Sequence, residues 1–130
     1  MPAPTDVSLS QIGQIALPVQ DLDRAVTFYR DALGIPFLFR VPNLAFFDCA
    51  GVRPMLTTPE SSQLERHGSI LYFKVADIDA AHQALRQRGV AFDDQPHIIA
   101  AMESYDLWMA FFRDSEGNLL GIMSEAPRAS

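Results

Sequence analysis

The chain has 130 residues, 48% of them hydrophobic and 20% charged, which is ordinary globular composition with room for one compact domain and its core. A formal net charge of −6 argues against a nucleic-acid partner, since Lys and Arg must replace the counterions of phosphate, and it would suit a cationic ligand. The single cysteine, Cys49, excludes an intrachain disulfide and a thiolate metal cluster and is expected as a small buried filler. No apolar run approaches the roughly 18–20 residues of a membrane helix. Residues 1–10 lack a basic-then-apolar signal pattern, so a soluble, cytoplasmic protein without a membrane partner is expected.

A polar tail, residues 1–11, precedes the first patterned segment. There Ile15, Leu17 and Val19 alternate with Gln14, Ala16 and Pro18, a period of two that predicts a strand with two distinct faces. Asp21 reads as a helix N-cap, because a short carboxylate accepts the free amides of a first turn. Leu22, Ala25, Val26, Tyr29 and Leu33 recur at helical spacing, and Gly34 stands where a left-handed residue would end the helix. Three β-like stretches follow at 37–40, 44–48 and 52–57. A polar linker, 58–68, contains Pro59, Ser61 and Ser62.

The pattern then starts again. Val75-Ala76-Asp77-Ile78-Asp79-Ala80-Ala81 echoes Val19-Gln20-Asp21-Leu22-Asp23-Arg24-Ala25. Gly89-Val90-Ala91-Phe92 echoes Gly34-Ile35-Pro36-Phe37, and Ala110-Phe111-Phe112 echoes Ala45-Phe46-Phe47. Leu71, Phe73 and Val75 oppose Ile70, Tyr72 and Lys74 on a second two-faced strand; Asp77 caps a second helix carrying Ile78, Ala81 and Leu85, and Gly89 ends it. Strand-like segments follow at 91–98, 107–113 and 118–123, the last two joined by a turn at 114–118 in which Gly117 supplies positive φ. An internal repeat outranks other fold signals. It predicts an α+β chain of two tandem βαβββ modules, residues 12–57 and 69–125, sharing one domain.

A duplicated βαβββ unit of this length resembles the vicinal-oxygen-chelate superfamily, the glyoxalase, bleomycin-resistance and extradiol dioxygenase group. The opening strand and helix running into Phe28-Tyr29 resemble its first phrase. Ala110-Phe111-Phe112-Arg113-Asp114-Ser115-Glu116-Gly117-Asn118 resembles its closing "Phe-Phe, Asp-Pro-Asp-Gly-Asn" hairpin, with Ser115 and Glu116 replacing residues of the turn. The resemblance covers residues from about Ile12 to about Glu125. It implies a cup-shaped mixed sheet, closed within one chain or across a homodimer. In catalytic relatives, His, Gln or Glu ligands on the concave face hold a divalent metal that polarises vicinal oxygens. Function varies across the superfamily, from isomerases and dioxygenases to non-catalytic drug binders.

Carried onto this chain, the opening-strand slots fall on Gln14 and Ile70, and the closing-strand slots on Met55 and Gly121. Gln14 alone offers a hard oxygen donor; a hydrocarbon, a thioether and a glycine do not serve this chemistry. No metal is therefore expected. His67, His82, His97, Glu65 and Glu103 are the remaining candidates for a rebuilt site. His82 reads as a structural residue at the helix surface or its edge, and Glu65 and His67 as solvated linker residues. His97 lies in an apolar stretch and reads either as a hydrogen-bonded core residue or as a ligand or general base, with Glu103 a second catalytic candidate.

Period two places Gln14, Ala16, Pro18, Ile70, Tyr72, Lys74, Arg53, Met55, Thr57, Gly121 and Met123 on the concave face. They read either as the lining of a small-molecule pocket or as filling of a small sheet. Trp108, Met109, Phe111 and Phe112 read as core or pocket wall, and residues 99–106 as a loop able to cover the cup. Two functions follow: a metal-independent homodimer that sequesters an aromatic or cationic compound, or a metal-dependent lyase, isomerase or dioxygenase using unusual ligands.

Overall fold

The computed structural model describes residue 7 and residues 9–58 and 69–127. Glu65, His67 and most of the linker lie outside these residues. The first half runs β1 (Gln14–Pro18), α1 (Leu22–Thr27), a π-helical turn (Phe28–Ala32), β2 (Phe37–Val41), β3 (Leu44–Phe47) and β4 (Arg53–Thr57). The second runs β5 (Leu71–Lys74), α2 (Ile78–Gln87), β6 (Ala91–Phe92), β7 (His97–Ala101), β8 (Tyr105–Arg113) and β9 (Leu119–Pro127).

Both predicted caps form. Asp21 Oδ1 accepts from the Arg24 amide at 3.0 Å, and Asp77 Oδ1 from the Ala80 amide at 3.1 Å. Gly34 and Gly89 take φ of 73° and 91°, values an L side chain resists. The first helix is not regular throughout. Asp21 and Asp77 stand 56 positions apart but Gly34 and Gly89 only 55, so the first copy holds one residue more between cap and stop. A widened turn absorbs it, with the Leu33 amide bonding the Phe28 carbonyl at 3.0 Å, which is the five-residue reach of a π-bulge.

The first sheet has strand order β1-β4-β3-β2, with β1 parallel to β4 and the other pairs antiparallel. The second has order β5-β9-β8-β6, with β5 parallel to β9 and β7 also paired to β8. β6 and β7 together occupy the place of β2. The predicted strand at 91–98 is interrupted between Phe92 and His97, where the Asp94 side chain, not a backbone carbonyl, takes the Phe111 amide at 2.8 Å and Pro96 has no amide to donate. Residues 99–106 are no covering loop: they end β7, turn with the Met102 amide on the Tyr105 carbonyl at 2.8 Å, and open β8.

One core cluster draws on both halves, including Leu17, Val19, Tyr29, Phe47 and Leu56 from the first and Ile78, Phe112, Leu120 and Ile122 from the second. It lies on the face of each sheet that carries the helices. Phe28 in the first helix corresponds to Ala84 in α2 by the Asp21–Asp77 register. With only alanine there, an apolar cavity of about 270 Å³ remains between Leu33, Ile35, Ala84, Leu85 and the floor of the second sheet. Strand pairing does not join the two sheets among the described residues, which form no closed barrel. No helix among the described residues is long and apolar enough to cross a membrane.

Candidate functional site

Because the helices cover one face of each sheet, the alternate residues form an open face. On the first sheet, Gln14 lies opposite Arg53 and Ala16 opposite Met55. On the second, Tyr72 lies opposite Gly121 and Lys74 opposite Met123, with Ile70 two positions before Tyr72. Met55 and Gly121 are thus equivalent by strand pairing as well as by repeat. The side-chain amide of Gln14 points its Nε2 at Met55 Sδ, 3.6 Å away. These residues do not fit the metal that the resemblance implies: one amide oxygen is the sole hard donor at the slots. The described residues also hold no cluster of three or more His, Cys, Asp or Glu side chains able to bind an ion.

At Gly121 the slot is filled from the side. A Cβ there would stand 3.0 and 3.2 Å from two ring carbons of Tyr72 and 3.4 Å from a ring carbon of Phe111. Glycine lets the Tyr72 ring lie down on β9, where it meets Phe111 edge-to-face at 5.9 Å. The ring and the slot compete for the same space. Beside it, Ile70, Tyr72, Asp93, Asp94, Phe111 and Leu119 line a shallow cleft.

The first sheet's open face is aromatic too. Phe39 pairs with Phe46 across β2 and β3, and their rings stack at 4.7 Å and 26°. The Arg53 guanidinium sits over Phe46, 5.9 Å from its centroid, within cation–π range. On the second sheet the cations are paired: Lys74 with Glu125 at 3.3 Å and Arg113 with Asp93 at 3.3 Å. His97 Nδ1 lies 2.8 Å from the Gln95 carbonyl and 3.7 Å from Asp94.

His97 starts β7 and is exposed rather than a core residue, and Glu103 is exposed in the turn beyond the other end of that strand. The structure does not bring them together as an acid–base pair. His82 is corrected more sharply: it is 6% exposed, packs edge-to-face on Phe92 at 4.3 Å, and its Nε2 has no hydrogen-bond partner. The helix places it one position after Ala81 on the core side. Cys49 is half-buried and bridges to Val52. Phe112 is core, whereas Phe111 belongs to the open face.

Sequence reasoning passed over Glu116. Its side chain is 1% exposed and accepts from the amides of Gln20 and Asp21, both at 2.9 Å, from Arg24 Nε at 2.7 Å and Nη2 at 3.0 Å, and from Ser115 Oγ at 2.9 Å. Burial alone would raise its pKa. The Arg24 bonds, the two amides and Ser115 outweigh that and bring it down to about 2. The signal available was its substitution into the turn of the closing hairpin.

Residues 11–122 match the family described as glyoxalase/bleomycin resistance protein/dioxygenase superfamily. The chain is 31% identical over 123 residues to the uncharacterized protein YraH of Bacillus subtilis (strain 168), covering 84% of this chain and 94% of that one. Its fold is similar to lactoylglutathione lyase from Agrobacterium tumefaciens, with TM-score 0.70, 24% identity and coverage of 88% and 93%. It is also similar to TnmS3, an antibiotic binding protein from Streptomyces sp. CB03234, with TM-score 0.72, 23% identity and coverage of 92% and 99%. Duplicated sheets, paired slots and sequence match agree: the chain belongs to the glyoxalase/bleomycin resistance protein/dioxygenase superfamily.

Proposed function

We propose that this chain binds a small organic molecule on the open faces of its two sheets, without the metal of its catalytic relatives. One observation carries the reading: the Tyr72 ring occupies the ground beside Gly121 where a ligating side chain would have to stand. Ligand sites of this kind combine apolar and aromatic walls with a few orienting polar groups. Phe39, Phe46, Tyr72 and Phe111 supply the walls, and Gln14, Arg53, Lys74 and His97 the polar groups, with Met55, Ile70 and Gly121 between them. The similarity to an antibiotic binding protein is in keeping with this.

The cup is proposed to close across a homodimer. Leu38 and Val41 on β2 and Ile98 and Ile99 on β7 are exposed, apolar residues of edge strands that a second copy would cover. Elemental analysis of protein purified without chelator tests the first half. A stoichiometric transition metal that is lost in the Gln14→Ala variant would sink the metal-free reading and restore metal-dependent catalysis. Sedimentation equilibrium tests the second half, and a monomer at micromolar concentration that still binds ligand would refute the shared cup.

A further inference from the structure

Among the described residues of the first sheet's open face, Arg53 is the one cation; Asp48, which the β3–β4 register sets across from it just beyond β3, accepts from the Gly51 amide at 3.3 Å and makes no ion pair with it. Arg40, the other arginine on β2–β4, lies opposite buried Ala45 and pairs with Asp23 at 2.7 Å. Arg53 has neither an ion pair nor a side-chain hydrogen bond among the described residues; its guanidinium rests only over Phe46. The second sheet's cations each have a carboxylate, Lys74 with Glu125 and Arg113 with Asp93. A net charge of −6 points toward a cationic ligand when the chain is taken as a whole. Near a face the nearest charges decide, because screening reduces those more than about 8–10 Å away.

We infer that the ligand is an aromatic carboxylate. This rests on the reading of the open faces as a small-molecule site and names the class of molecule they take. A planar ring is accepted against Phe39 and Phe46, which already stack on one another at 4.7 Å and extend the stack by one member. The carboxylate meets Arg53. A guanidinium suits this contact because its donors lie in a planar fork matching the two carboxylate oxygens, and an aromatic surface against its face leaves that fork free. Gln14, directly across the ladder from Arg53, adds an amide that donates to or accepts from a neighbouring hydroxyl. A cationic ligand would meet the Arg53 guanidinium, and the nearest carboxylate, Asp48, is turned to the Gly51 amide at 3.3 Å.

The test compares 2-naphthoate with its neutral isostere 2-naphthamide by isothermal titration calorimetry on the intact protein. The acid is expected to bind about tenfold tighter, the scale of one charge-assisted pair at a partly exposed site, with the gap narrowing as salt rises. Arg53→Gln should abolish the gap by weakening the acid far more than the amide, and Phe39→Ala should weaken both compounds. Equal binding of acid and amide overturns this inference and leaves the small-molecule reading standing. So does an acid preference that survives in Arg53→Gln. Absence of binding by either compound counts against both. If Phe39→Ala alters only sedimentation and not affinity, the face is a contact between copies and the inference fails.

Discussion

Tyr29 Oη donates to Asp114 Oδ2 at 2.7 Å, tying the end of the first helix to a hairpin 85 positions later. The two phrases most recognisable in the sequence, Phe28-Tyr29 and the turn at 114–118, are therefore two halves of one contact. Asp114 also accepts from the amides of Glu116 and Asn118, at 2.8 and 2.7 Å, and from Asn118 Nδ2 at 2.9 Å. Asn118 Nδ2 reaches on to the Pro18 carbonyl at 2.9 Å. Burial, and the adjacent Asp114 carboxylate, push the Tyr29 phenol far above its ordinary value, so it stays a donor. Tyr29→Phe leaves Asp114 its three other donors and should cost about 1–2 kcal/mol. Asp114→Ala strands the buried phenol and the turn amides together and should cost about 3 kcal/mol or more. Urea unfolding with unchanged m checks both; equal costs would show that the Tyr29 bond carries the whole contact and that the turn amides add nothing to it.

Glu116 makes stability depend on acid. Its folded pKa, about 2, lies below the ordinary carboxylate value, so the folded state favours the charged form. The contribution is full above about pH 4.5 and is lost as pH falls from there toward 2. Arg24 is half-exposed, which weakens its share through solvent screening, so a total of about 2 kcal/mol is expected. In Glu116→Gln, urea midpoints measured from pH 7 down to pH 2.5 should start lower and fall less steeply than in the parent chain. Parallel curves would mean that Glu116 is not the titrating group.

Local chemistry made much of this legible in advance. Short carboxylates announced both helix starts, alternation separated the faces of β1 and β5, and the repeat set Met55 against Gly121 before any pairing was known. What stayed hidden depends on partners distant in sequence. Nothing near residue 116 says that its carboxylate caps a helix beginning at Leu22. The extra residue in the first helix was present in the 56-to-55 change of spacing, but its accommodation as a π turn was not. The stacking of Tyr72 on Gly121 needed β5 and β9 laid side by side, although the missing Cβ was already in the sequence.

His82 stands out within the core. Its Nε2 is buried without a partner, at the position that Val26 fills in the first helix by the same register. A buried polar atom left unpaired costs about 1–3 kcal/mol in lost hydration, while the ring's contact with Phe92 recovers packing. His82→Leu should therefore leave stability unchanged or raise it by about 1 kcal/mol, read as a thermal midpoint no lower than that of the parent. A loss above about 1.5 kcal/mol would show that the imidazole does more for the core than its packing accounts for.

The Gly121–Tyr72 pairing makes a sharper demand, because it is steric and does not involve charge. Gly121 has no positive φ, so Gly121→Ala introduces no backbone strain, and any effect must pass through the ring 3.0 Å from the new Cβ. Moving Tyr72 costs its edge contact with Phe111 and opens part of the cleft beside Ile70. A loss of about 1 kcal/mol is expected. In a Tyr72→Ala background the same Gly121→Ala change should cost almost nothing, since the clash has gone. A double-mutant cycle by urea denaturation gives the coupling directly. Additive costs would place the Tyr72 ring elsewhere, and the ground beside Gly121 would then be free for a ligand or an ion.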